Sequence, residues 1–212
     1  MSEVFQKIAE LLILGDAAEL KSLIEKALGQ GHSPREILDQ GLIAGMSQVG
    51  ERMKTGEMFI PEVLLSARTM QAAMEVLKPL LSPQEASGVG TYLIGTVEGD
   101  VHDIGKNLVA MMLSGAGFKV IDLGVDVKPQ AFVAAVREHK PQIVGMSALL
   151  TTTIPKMKET IEALEEAGLR DKVKVMAGGA PVTQNLVDDF GADAYGASAW
   201  SAVEKAKALI GR

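Results

Sequence analysis

The chain contains no cysteine, which excludes a disulfide framework, a thiolate zinc site and a cysteine nucleophile. Histidine is nearly as scarce. The three present, at positions 32, 102 and 139, never pair at helical spacing, so a protein-only zinc centre of the H-E-x-x-H kind is excluded as well. Any transition metal would rest on imidazole, on carboxylate, or on ligands that arrive with a cofactor. Basic residues are outnumbered, 21 Lys and Arg against 27 Asp and Glu for a net charge of −6, and they form no cluster. Nucleic-acid affinity rests on phosphate neutralisation and has no footing here. The apolar runs Leu11 to Leu14 and Leu108 to Leu113 are far too short to span a bilayer. The opening Met1-Ser-Glu-Val-Phe5 lacks a basic start followed by an apolar core. A cytoplasmic protein with protein and small-molecule partners is expected, and neither nucleic acid nor membrane among them.

What is present divides into two patterns. Over residues 1–81 apolar positions recur at helical spacing. They fall at Val4, Ile8, Leu11 and Leu12, then at Leu20, Leu23, Ile24 and Leu28 up to the Gly29-Gln-Gly31 stop. Ser33-Pro34 supplies an N-cap with proline at the first helical position, and Ile37, Leu38, Leu42, Met46, Val49 and Met53 continue to Gly56. A fourth stripe runs from Pro61 through Val63, Ala67, Met70 and Leu77 to Leu81. Four short helices with short loops imply a bundle. Residues 82–88, Ser-Pro-Gln-Glu-Ala-Ser-Gly, combine turn formers with no periodicity and read as a linker. Residues 89–212 alternate short apolar strands with helices five times, which implies a parallel doubly wound sheet. The flavodoxin-like order 2-1-3-4-5 with right-handed crossovers is the natural choice.

Ligands in such sheets bind beyond the carboxyl ends of the strands, near the switch point between strands 1 and 3. The stretch following strand 1, Gly95-Thr-Val-Glu-Gly-Asp100-Val-His102-Asp103-Ile104-Gly105, therefore draws attention. It is neither G-x-G-x-x-G nor a loop ending in Gly-Lys-Ser/Thr, so it is not built to cradle phosphate. His102 could be an ordinary capping histidine. Yet a metal-bound imidazole usually gives its other N–H to a carboxylate, and Asp100 stands two residues away. Thr151, Thr152 and Thr153 follow strand 3, where one of them suits a helix N-cap. His139 reads as a solvated helix end, His32 as loop surface, Phe59 as bundle core, and Asp103 and Asp122 as caps or solvated groups.

Asp100-x-His102-x-x-Gly105, followed by Ser147-Ala-Leu149 and Gly178-Gly179, resembles the cobalamin-binding signature of B12-dependent methyltransferases and mutases. The stretches Met46-Ser-Gln-Val-Gly50-Glu-Arg-Met53 and Met58-Phe-Ile60-Pro61 resemble the helical cap of methyl-carrying corrinoid proteins, so the likeness spans nearly the whole chain. The resemblance implies an α/β cobalamin-binding domain behind a four-helix cap, with His102 as lower axial ligand to cobalt. Asp100 and Thr153 would relay its proton. Asp103, Ile104, Gly105, Leu149 and Thr151 would lie against the cofactor, Ser147, Gly178 and Gly179 would line a slot for its nucleotide tail, and Met53 and Ile60 would cover its upper face. Met53 departs from the phenylalanine that methionine synthase places there. The activity implied is that of a shuttle in anaerobic one-carbon metabolism, catalytically incomplete alone. It would carry a methyl group on cobalt between a substrate:corrinoid methyltransferase and a second methyltransferase acting on tetrahydrofolate or coenzyme M, with a reductive activator as a third partner. The alternatives are a cobalamin-dependent sensor, a mutase subunit, or a flavodoxin-like domain that binds no corrinoid.

Overall fold

In the computed structural model, residues 2–81 and 89–211 are described, and the linker expected at 82–88 lies outside them. The chain divides into two compact units, residues 1–88 with 114–117 and residues 89–113 with 118–212.

The helical unit begins with α1 (Glu3–Leu14), which buries Phe5, Ile8, Leu11 and Leu12 on one face and ends at Gly15 in the left-handed region, φ 82°. Asp16 caps α2 (Ala17–Gly29) by accepting from the Glu19 amide at 3.0 Å. Ser33 and Glu36 form a reciprocal capping box at the start of α3 (Pro34–Glu36). The third helix expected from the sequence is not regular. Between α3 and α4 (Ala44–Thr55) the chain runs as a wide π-helical stretch, Ile37–Ile43. There Gly41 faces α1 so closely that a Cβ would stand 2.7 Å from Ile8 Cγ2. Periodicity alone gives no sign of that widening, because α and π turns bury neighbouring residues alike. The fourth helix, α5 (Ile60–Leu77), buries Val63, Ala67, Met70, Ala73 and Leu77.

Two expectations fail in this unit. Phe59 is 67% exposed rather than core. It precedes the buried stripe in extended backbone and serves as the cap position, its amide donating to Glu62. His32 is half-buried, with its ring edge-on to Phe5 at 5.0 Å.

The second unit is a five-stranded parallel sheet of order β2-β1-β3-β4-β5, as expected. Its strands are β1 (Thr91–Thr96), β2 (Lys119–Asp122), β3 (Ile143–Ser147), β4 (Lys174–Gly178) and β5 (Ala194–Gly196). The intervening helices are α6 (Ile104–Gly115), α7 (Pro129–His139), α8 (Pro155–Glu166) and α9 (Gln184–Asp189), followed by α10 (Ala199–Leu209). Side chains alternate across each strand, and the two faces differ. Leu93, Val97, Val144, Met146, Val175 and Ala177 form one core with Phe132 of α7 and Met157, Ile161 and Leu164 of α8. The opposite face carries Tyr92, Ile94 and Thr96, in register with Ile143, Gly145 and Ser147, and then with Lys174, Met176 and Gly178. That row carries Gly145, Ser147 and Gly178, and a cleft lies over them.

Candidate functional site

Asp100 is the fixed point of the rim. Its side chain is 0% exposed, a position a carboxylate tolerates only when its oxygens are hydrogen-bonded. Oδ2 accepts from the Leu149 amide at 2.7 Å, the Leu150 amide at 3.2 Å and the Thr153 hydroxyl at 2.8 Å. Oδ1 accepts from the His102 amide at 3.1 Å and lies 2.7 Å from His102 Nδ1. Burial alone would raise the Asp100 carboxyl. Hydrogen bonds from the Leu149 and His102 amides, the His102 ring and the Thr153 hydroxyl outweigh it and hold the group well below the ordinary carboxylate range.

An ionised Asp100 can only accept, so the proton between the two residues sits on Nδ1, and in the neutral ring the lone pair is on Nε2. The imidazole is aimed and its tautomer set, while its side chain remains 46% exposed. The loop carrying it is pinned twice more. The buried Thr96 hydroxyl donates to the His102 carbonyl at 2.9 Å, and the Gly99 amide donates to Asp126 at 2.7 Å. Around His102 stand apolar side chains that a sheet rim would ordinarily hide: Val101, Leu149 and Leu150 are exposed, and Ile104 is 85% exposed. A basic nitrogen within an apolar collar suits a large flat ligand bearing a metal.

Beside the collar a cleft of about 240 Å³ descends along the small-residue face of the sheet, lined by Gly105, Ser147, Gly178 and Gly179 and reaching Tyr92 and Met176. That is below the roughly 300–1,000 Å³ that encloses a whole drug-sized ligand, so the cleft takes part of a larger molecule. The glycines make it. A Cβ on Gly178 would come 2.8 Å from the Gly196 carbonyl oxygen, and one on Gly179, whose φ is 138°, would come 1.8 Å from the Ala148 carbonyl oxygen. Gly105 differs, since a Cβ there meets nothing within 4 Å and would point into open space. A histidine with its lone pair free, an apolar collar and a side slot fit a corrinoid bound through its metal and its tail.

The structure thus brings Asp100, His102, Leu149 and Thr153 into one network and sets Gly105, Ser147, Gly178 and Gly179 around one slot. Asp103 is exposed and turned to its own helix, accepting from Asn107 Nδ2 at 3.0 Å. Thr151 is exposed, outside the Asp100 hydrogen bonds. Met53 is half-buried on α4, and Ile60 is exposed at the start of α5. His139 stands exposed at the end of α7. Asp122 is more than a solvated group: it pairs with the ammonium of Lys106, which is almost fully buried on the slot wall. Sequence reasoning passed over Lys106, Thr96 and Tyr92. Only the alternation of β1, placing Tyr92 on the face of Ile94 and Thr96, hinted at the last two.

Comparisons with known proteins identify the family. Family profiles described as B12 binding domain match residues 90–204 and residues 4–78. Trimethylamine corrinoid protein 1 of Methanosarcina acetivorans is 46% identical over 210 residues, covering 98% of this chain and 97% of that protein. The dimethylamine corrinoid protein of Methanosarcina barkeri is 47% identical over 210 residues, covering 98% of each. The crystal structure of the methanol:cobalamin methyltransferase complex MtaBC from Methanosarcina barkeri contains a similar chain, with a TM-score of 0.89 at 34% identity over 99% of this chain and 80% of that one. A cobalamin-binding protein from Desulfitobacterium hafniense superposes with a TM-score of 0.80 at 35% identity over 98% of each chain.

Proposed function

Because the chain belongs to the corrinoid proteins built from B12-binding domains, and is a methyl carrier of a methyltransferase system, we propose that His102 is the lower axial ligand of its cobalt and that the slot below Ser147 takes the nucleotide tail. The observation that carries this reading is the Asp100–His102 pair, a buried carboxylate 2.7 Å from one ring nitrogen of an imidazole whose other nitrogen stands among exposed apolar groups. When bound, the corrinoid's cobalt supplies the chemistry, accepting a methyl group and giving it up again. The protein's own residues aim and tune. Asp100 holds the Nδ1 proton and with it the tautomer that leaves Nε2 as donor. Thr153 is within reach of Asp100 Oδ2 at 2.8 Å and of the Leu150 carbonyl at 2.9 Å. Its single hydroxyl proton favours the charged partner, so the three residues form a short chain that would manage the imidazole's proton once a corrinoid is held. Val101, Ile104 and Leu149, exposed apolar side chains, would exclude water from the bound group.

The partners follow from the family, in which a similar chain stands in a methanol:cobalamin methyltransferase complex. A substrate:corrinoid methyltransferase loads the carrier, with methylamines the favoured donors given the relatives above. A second methyltransferase, for tetrahydrofolate or coenzyme M, unloads it, and a reductive activator rescues oxidised cobalt; the reading places all of them in the cytoplasm. Loaded with reduced corrinoid, the purified chain is expected to take up no methyl group from methylamines or methanol until the matching methyltransferase is added, since neither leaving group is stabilised without it. Uptake by the chain alone, at the rate seen with the partner, would overturn the carrier reading.

The helical unit is assigned the part of a shield, with Met53 and Ile60 as its apolar contribution. Replacing both with alanine is expected to change thermal stability by only about 1 kcal/mol, as neither is deeply buried. The bound, reduced cobalt should nevertheless be oxidised several times faster in air. Equal oxidation rates in the variant and the parent chain would remove the role.

A further inference from the structure

The deep end of the slot is closed by a residue that packing alone does not explain. Tyr92 pairs with Ile143, and four residues along the same strands Thr96 pairs with Ser147 at the lip, so Tyr92 lies about 13 Å below the rim. Its ring crosses the face of β3 over Gly145, where a Cβ would stand 2.4 Å from the phenol oxygen. It also meets Phe118 edge-on at 6.3 Å. The side chain is 2% exposed yet lines the cleft. Burial pushes the phenol above its ordinary range, so it stays a neutral O–H donor. Its partner is the Met176 thioether at 3.7 Å, a weak acceptor. A phenylalanine would fill the same space without burying a hydroxyl that has so poor a partner. What the oxygen adds is a hydrogen bond offered to whatever reaches the closed end.

We infer that Tyr92 determines which corrinoid the protein takes. Its hydroxyl donates to an acceptor on the lower base, favouring a cobamide whose base has a polar edge over one whose base ends in alkyl groups. The inference rests on the proposal that the slot receives the nucleotide tail. The rest of the deep end supplies shape and little polarity: Ile94 and Met176 are apolar, and Gly145 offers no side chain. A base that brings no acceptor leaves the phenol with its thioether alone.

The test uses the full chain and two cobamides whose benzimidazole bases differ by one atom, a methoxy group in one and an ethyl group in the other, with cobinamide, which has no base, as the third ligand. Binding is followed by the visible absorption change on titration. The unaltered chain is expected to bind the methoxy form about five- to tenfold more tightly than the ethyl form, the effect of one buried hydrogen bond. Tyr92→Phe, which removes a single oxygen, should bring the two within about twofold by weakening the methoxy form alone, with cobinamide bound equally by both proteins. An unchanged ratio in Tyr92→Phe, or no preference in the unaltered chain, overturns the inference while leaving the carrier reading intact. Cobinamide bound more tightly than either cobamide would show that the slot takes no tail, and failure to bind any of the three would overturn the carrier reading and this inference with it.

Discussion

Replacing Asp100 with alanine is expected to lower the unfolding free energy by about 2–4 kcal/mol, a fall of roughly 10 °C in the melting temperature of the α/β unit. The side chain accepts from the Leu149 amide, the His102 amide and the Thr153 hydroxyl at 3.1 Å or less. Alanine leaves these donors beside an apolar methyl group. Leu149 is partly exposed, so water recovers some of the loss, which keeps the figure below a full sum of orphaned donors. The effect on the ligand site should be larger in relative terms. Without its carboxylate, His102 no longer has Nδ1–H anchored and its ring turns freely, and loss of such a partner typically weakens metal binding by about 10–100-fold.

The pH dependence has a definite sign. The folded Asp100 carboxyl titrates below its unfolded value, so its stabilising contribution is complete above about pH 5 and disappears as pH falls below the unfolded value near 4. The stability gap between the unaltered chain and Asp100→Asn should therefore narrow as pH falls below about 4. A gap that widened below pH 4 in denaturant titrations would contradict the assignment.

The second large effect concerns the two kinds of glycine in the signature. Gly179→Ala should cost more than about 3 kcal/mol, or prevent folding of the α/β unit. Its φ of 138° disfavours any side chain, and the new Cβ would lie 1.8 Å from the Ala148 carbonyl oxygen, which belongs to backbone and cannot rotate away. To make room, the loops after β3 and β4 must part, and the slot parts with them. Gly105→Ala should do the opposite. It lies within α6, where alanine is favoured over glycine by up to about 1 kcal/mol, and its Cβ meets nothing within 4 Å. Stability should hold or rise, while corrinoid affinity falls because the methyl group occupies the lip of the slot. If Gly105→Ala bound corrinoid as tightly as the parent chain, the slot would not be where the tail lies. Unfolding and corrinoid titration of the two variants separate a glycine that shapes the chain from one that makes room for a ligand.

This division marks how far the sequence could be read. Asp100 and His102 lie on one βα loop and Gly105 in the first turn of the helix that follows, so their proximity follows from chain geometry, and the sheet order brings Ser147 and Gly178 beside them without knowledge of any side chain. Alternation along five short strands was enough for that. Tyr92 crossing Gly145 to reach Met176 depends on the register of three strands, which no local pattern fixes. Lys106 pairing with Asp122 depends on how a helix start sits beside the end of a neighbouring strand. The exposure of Phe59 turned on where α5 begins: had the helix started a turn earlier, its ring would have joined the Val63 and Ala67 stripe. Glycine signals were legible as positions but not as reasons, since Gly105 and Gly179 look alike in a string of letters and differ only in what surrounds their missing Cβ.

The central claim, that His102 binds the cobalt of a corrinoid, is tested most directly by electron paramagnetic resonance. The protein is loaded with cobinamide, which brings no base of its own, and the metal is reduced to the paramagnetic cobalt(II) state. Each cobalt hyperfine line is then expected to carry a three-fold nitrogen splitting from one imidazole, and His102→Ala should abolish it while leaving the fold in place. A splitting that survives in His102→Ala, or that is absent from the unaltered chain, would contradict the account.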